Sequence, residues 1–106
     1  MSHLVVLCTA PDAALAERIA IALVEERLAA CVNLVPGVKS IYRWQGKLQR
    51  DAELLLVIKT SAARLAALTT RVQALHPHEV PEIIALPITA GARPYLDWIT
   101  ESTTPE

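Results

Sequence analysis

Phenylalanine is absent from this chain of 106 residues, and tryptophan and tyrosine occur only twice each. The apolar half of the composition is carried mainly by Ala, Leu, Val and Ile, enough for the core of one domain with little surplus. Neither charge sign is in excess, with ten Lys and Arg against eleven Asp and Glu. No basic run occurs either, so nucleic acid is not expected as a partner. No apolar run approaches the roughly 18 residues of a membrane span, and no membrane partner is expected. The first apolar stretch has no basic leader and meets Pro11-Asp12 at once. It reads as a first strand rather than an export signal, and a cytoplasmic location follows as the expectation. Two cysteines, Cys8 and Cys31, are then expected to stay reduced. Phosphate loop, nucleophile elbow and Ser-His-Asp spacing are all missing, so no enzyme is expected. With no linker, repeat or low-complexity segment, residues 1–106 read as one domain whose last six residues fray.

What is present centres on Val38–Thr60. This stretch reads as a long β-hairpin, with Tyr42 and Trp44 on one face and Ile41 and Arg43 on the other. Gln45-Gly46 supplies the turn, because glycine accepts the positive φ of tight hairpins. A return strand over Leu48–Lys59 would span roughly 40 Å, about twice the usual strand, and needs something to lie against.

Around this arm the elements alternate. His3–Ala10 and Leu54–Ile58 are apolar on both faces, which predicts central strands. Pro11 suits the first turn of a helix bearing Leu15, Ile19, Ala22 and Leu23, which should end near Leu28–Ala30. A second strand opens at Cys31, and Pro36-Gly37 implies an edge or a bend. Thr60 and Ser61 are read as caps of a second helix with Leu65, Leu68, Val72 and Leu75 as its stripe. His76-Pro77 stops that helix. Glu82–Thr89 makes a fourth strand with Pro87 at an edge, and Arg93–Thr100 a short last helix. The order β-α-β-β-α-β is that of an α+β ferredoxin-like plait with a short C-terminal helix. A plait covers one sheet face with its helices, yet these central strands are apolar on both. Burial against further copies of the chain, a homo-oligomer, is expected.

Chemistry-bearing residues are densest in His76-Pro77-His78-Glu79-Val80-Pro81-Glu82. Imidazole and carboxylate suit divalent metals, and a Cys8 thiolate would favour copper or zinc. The competing readings are a His76 that serves only the last helical carbonyls and a Cys8 that is a small core hydrophobe. Cys31, with no base near it in sequence, reads as structural. Lys59-Thr60-Ser61 places a cation and two hydroxyls at a helix start, a candidate anion site beside the ordinary reading of a solvated lysine and a cap. Tyr42, Trp44 and Glu53 are candidates for a cleft between subunits, or interface anchors.

These segments together resemble the CutA divalent-cation tolerance proteins from about Leu4 to Ile99. The matching pieces are V-V-L-C-T-A-P-D, L-A-A-C-V-N-L-V-P-G-V-K-S-I-Y-R-W-Q-G-K, E-L-L-L-V-I-K-T, H-P-H-E-V-P-E-I-I-A-L-P-I and Y-L-D-W-I. The resemblance implies a PII-like homotrimer whose hairpins pair across subunits and a non-catalytic role in tolerance to copper and other divalent ions. It implies copper ligands at Cys8 and His76. The family reads H-P-Y where this chain has His78, which adds a third candidate ligand. Leu75 stands where some relatives carry a second histidine. Two further readings accompany this one. The first is a PII-like sensor taking a small anionic ligand at the subunit cleft through Tyr42, Trp44, Glu53 and Lys59. The second is a stable trimeric scaffold with incidental metal affinity.

Overall fold

The computed structural model describes residues 2–106. Its sheet is built from β1 (His3–Ala10), β2 (Cys31–Trp44), β3 (Lys47–Ser61) and β4 (Ile83–Pro87), in spatial order β2-β3-β1-β4 and antiparallel throughout. Helices α1 (Ala13–Glu25) and α2 (Leu65–Leu75) carry the two crossovers, and α3 (Arg93–Ser102) closes the chain. This is the ferredoxin-like arrangement, with the two doubly apolar strands β1 and β3 at its centre. Pro87 ends the edge strand β4, where no neighbouring strand needs its missing N–H.

Along β1 and β3, alternate residues turn to α1 and α2. Val6, Cys8, Ala10, Leu56 and Ile58 meet Leu15, Ile19, Leu23, Leu68 and Val72 in the core. Each fully buried Leu, Ile or Val there contributes about 1.5–3 kcal/mol from area removed from water. The opposite face carries Val5, Leu7, Leu55 and Val57, with Ile84, Leu86 and Val35 beside them in register. Neither α1 nor α2 covers it. Ile84 stays 54% exposed and Leu86 46%.

The arm is longer than the sequence pattern implied. Pro36-Gly37 does not divide it: a bulge between Val35 and Val38, with Gly37 at φ 81°, lets β2 run on from Cys31 to Trp44. The molecule consequently measures 44 Å along its longest axis against 26 and 21 Å. At the tip both Gln45 (φ 50°) and Gly46 (φ 77°) are left-handed, the signature of a type I′ turn. Gln45 has a Cβ and bears the steric cost. Gln45→Asn should therefore raise stability by about 0.5 kcal/mol in urea denaturation, since asparagine tolerates this region better.

Helix boundaries depart from expectation in ways that matter for the ends of the chain. Asp12, not Pro11, begins α1: its carboxylate accepts the Leu15 N–H at 2.8 Å as an N-cap. The helix ends at Glu25, short of Leu28, because Arg27 turns left-handed at φ 59°. Leu28 N–H then reaches the Leu23 carbonyl (2.8 Å) and Arg27 N–H that of Val24 (3.1 Å), a Schellman motif closed by buried Leu23 and Leu28. Glycine usually sits where Arg27 does. The arginine instead uses its guanidinium on the C-terminal segment, donating to the carbonyls of Glu101 (3.2 Å) and Ser102 (3.4 Å) and to the Glu106 carboxylate (3.0 Å).

Those last residues, expected to fray, are tied to the body. Thr103 is buried; its hydroxyl donates to the Ile99 carbonyl (2.7 Å) and accepts from Ser61 Oγ (2.8 Å). Thr60 and Ser61 accordingly cap nothing with their side chains, since Thr60 Oγ1 donates to the Leu28 carbonyl at 2.7 Å. Their hydroxyls fasten neighbouring segments across the sheet end instead.

Candidate functional site

His76 ends α2 with extended backbone (φ −83°, ψ 135°), the conformation Pro77 imposes on the residue before it. Its ring does not turn back to the helix carbonyls. Nε2 lies 2.7 Å from the Thr9 carbonyl on β1, and since a carbonyl only accepts, Nε2 carries the proton. Nδ1 accepts the backbone N–H of His78 at 3.1 Å. Both ring nitrogens are engaged within the chain, so His76 would have to give up one of these bonds to take a metal.

Cys8 reaches the same carbonyl, its thiol donating to Thr9 O at 3.6 Å. The thiol is fully buried, and its pKa is pushed up to about 12 by that burial first, then by the carboxylates of Glu82 and Glu53. It is therefore a neutral thiol at physiological pH, packed in the core on the helix side of β1. Cys8 and His76 thus meet on the Thr9 carbonyl, and His78 is left exposed beside them, 4.6 Å from the His76 ring.

Above this point the root of the arm faces the loop that follows α2, and a cleft of about 540 Å³ opens between them. Strand register sets one wall: Ser40 opposes Asp51 and Val38 opposes Glu53, so Ser40, Tyr42 and Glu53 share a face. Trp44 extends that wall, and Tyr42 is fixed by a hydrogen bond from its hydroxyl to Asp51. Asp51, by accepting that bond, holds the Tyr42 hydroxyl protonated above its ordinary pKa. The loop supplies the other wall with His78, Glu79 and Glu82, held by Pro77 and Pro81. Thr9 lies at the floor.

Glu53 is the most informative group. It is only 8% exposed, and among the described residues no hydrogen bond or ion pair reaches its carboxylate. Among the described residues no buried side-chain oxygen lacks a partner, so the oxygens of Glu53 must be the part of it that meets the cleft. No lysine or arginine lines the walls to balance Glu53, Glu79 and Glu82. The charge is one-sided.

Lys59, read from sequence with Tyr42, Trp44 and Glu53 as part of a cleft between subunits, does not line the cleft within one chain. It sits six residues further along β3, about 20 Å away at strand rise, and bonds to Asn33 Oδ1. Thr60 and Ser61 also spend their hydroxyls within the chain, which engages all three members of the anion site read from Lys59-Thr60-Ser61. Glu79 and Glu82 were the residues missed as site members. Both lie in the His76–Glu82 cluster, but nothing in its spacing shows that they face the arm. Within one chain the donors do not close around an ion: among the described residues no group of three or more His, Cys, Asp or Glu side chains is close enough to hold a metal.

Residues 4–102 match the profile described as CutA1 divalent ion tolerance protein. The chain is 61% identical over 99 residues to the divalent-cation tolerance protein CutA of Thermus thermophilus, covering 93% of this chain and 96% of that one. A solved structure of the divalent cation tolerance protein from Thermus thermophilus superposes with a TM-score of 0.94 at 59% identity, over 96% of this chain and 99% of that one. The chloroplastic protein CutA of Arabidopsis thaliana is 50% identical over 100 residues, 94% of this chain. The chain spans 55% of that plant relative's length, so the plant protein carries a further segment, and the shared fold does not fix a compartment. No helix is long and apolar enough to cross a membrane among the described residues. Match length, identity and superposition agree, and the chain belongs to the CutA1 divalent ion tolerance protein family.

Proposed function

We propose that this chain is a homotrimeric, non-catalytic binding protein for divalent cations, copper among them, and that it takes the ion into the cleft between the arm and the His78–Glu82 loop. The observation that carries this reading is Glu53, nine-tenths buried, unpartnered, and joined by Glu79 and Glu82 without a balancing cation. A carboxylate that opens onto an acidic cleft with no cation beside it favours a positive ligand. Glu53 and Glu82 act as anchors, and His78 adds a nitrogen donor that suits copper and zinc over magnesium. Cys8, on the core side of β1 but within the field of both glutamates, offers sulfur to a soft ion able to displace its proton, while hard ions use the carboxylates alone. His76 positions the loop through Thr9.

The sheet face that α1 and α2 leave open, met by α3 only at its His3 and Ser61 end, supports assembly. A patch of Val5, Leu7, Leu55, Val57, Ile84 and Leu86 is costly to leave in water, and the arm is long enough to lie across a second copy. A PII-like trimer satisfies both. It also completes the site, because the donors of one chain do not close around an ion. The same acidity opposes the alternative of an anionic ligand in this cleft.

Titration calorimetry of the reduced protein with Mn(II), Zn(II) and Cu(II) separates the roles. Glu53→Gln and Glu82→Gln should each weaken all three ions about tenfold or more, as expected for loss of a charged ligand. Cys8→Ser should weaken zinc and copper while leaving manganese unchanged. Unaltered binding in both glutamate variants would place the ion elsewhere.

A further inference from the structure

The cleft has features that a metal ion does not use. At about 540 Å³ it falls in the range of small-molecule sites rather than ion sites. Its arm-side wall presents two aromatic rings, Tyr42 and Trp44, each still 39% exposed in a chain with only four such residues. Tyr42 is held in place through its hydroxyl by Asp51, so its ring face is oriented rather than free to swing. Opposite stand the carboxylates of Glu79 and Glu82, and Glu53 brings a third, unpartnered and open to the cleft, from the same sheet face as Tyr42. Aromatic faces attract ammonium groups through the ring quadrupole, and carboxylates accept their N–H bonds. An aromatic wall facing unbalanced carboxylates is a recognition surface for an alkylammonium.

We propose that the cleft binds an aliphatic polyamine, with one ammonium group against the rings of Tyr42 and Trp44 and a second within reach of Glu53 and Glu82. The methylene chain between the two charges lies along the apolar part of the wall. Two or three positive charges spaced along a flexible chain complement three glutamates that lie apart, where a single point charge can engage only some of them. The proposal shares the cleft with the divalent-ion reading but stands on the aromatic wall, which that reading leaves idle.

Calorimetric titration of the full chain with spermidine, and separately with Mn(II) at matched ionic strength, tests both readings at once. Saturable spermidine binding with one site per chain is expected. Glu53→Gln, which keeps the shape of the side chain, should weaken spermidine at least tenfold. Trp44→Leu, which keeps apolar bulk but removes the ring, should weaken spermidine at least fivefold and alter Mn(II) affinity less than twofold. Circular dichroism of each variant confirms its fold. Absence of saturable spermidine binding, or spermidine affinity unchanged by Trp44→Leu, overturns the proposal. Retained spermidine binding in a protein that takes no Mn(II) supports it while removing the metal reading.

Discussion

Metal-free protein is expected to lose on the order of 4 kcal/mol of stability between pH 9 and 12 through one group, the thiol of Cys8. Below pH 9 the thiol is neutral in both the folded and the unfolded chain, and its contribution is fully present. Above that, the unfolded chain releases the proton while the folded one retains it, up to about pH 12, because the site is dry and within the field of Glu82 and Glu53. Unfolding is favoured by about 1.4 kcal/mol for each pH unit in that window. Other groups titrate there too, so the difference from Cys8→Ala isolates the effect. The variant should be less stable than wild type at pH 8, having lost a buried sulfur, and the gap should close and then reverse as the pH rises. Urea denaturation at one-unit steps from pH 8 to 11 reads this directly. Parallel stability curves for the two proteins would mean that the Cys8 thiol is not kept neutral by its burial in the core.

A single charge on the open sheet face should dissociate the assembly. Val57 lies at the middle of β3 with Leu7 on one side and Asn33 on the other, and its side chain points away from both crossover helices. In an isolated chain Val57→Asp would place the carboxylate in water at little cost. Buried against another copy, the same carboxylate loses several kcal/mol of hydration with no cation opposite it. Each 1.4 kcal/mol is about a tenfold loss in association, so a drop of at least about a thousandfold is expected. Wild-type protein should sediment as three copies at micromolar concentration, and Val57→Asp as one, with an unchanged far-ultraviolet spectrum. A variant that sediments with the wild type would leave this face unburied and return the arm to the role of an isolated hairpin.

Much of the fold is legible in the residue pattern because it rests on strong local signals. Doubly apolar runs marked β1 and β3 as central strands, Pro87 marked an edge, and Gln45-Gly46 marked the arm's turn. Where the pattern failed, a tertiary contact had overridden a local preference. Arg27 carries no glycine-like signal, yet it takes the left-handed end of α1 because its side chain has work at the distant C-terminus. Thr60 and Ser61 have the composition of caps and spend their hydroxyls on Leu28 and Thr103 instead. The candidate site was legible in part. Tyr42, Trp44 and Glu53 could be grouped by strand period alone, and Cys8 with His76 by resemblance. Lys59 shares the period of Glu53 as well, but period says nothing of distance along the strand. That Glu79 and Glu82 face the arm depends on how a loop of two prolines leaves α2, and no spacing rule reports that. The one-sided charge of the cleft follows from those two residues together with Glu53.

The position of a bound ion tests the acidic cleft most directly. Crystals of the protein soaked with Mn(II), and separately with Cu(II), give anomalous difference peaks at the metal. The peaks are expected between the carboxylates of Glu53 and Glu82 near His78, with the copper peak displaced toward Cys8. A well-occupied peak at the Lys59–Ser61 end of β3, or on the exposed tip of the arm with the cleft empty, would contradict that assignment.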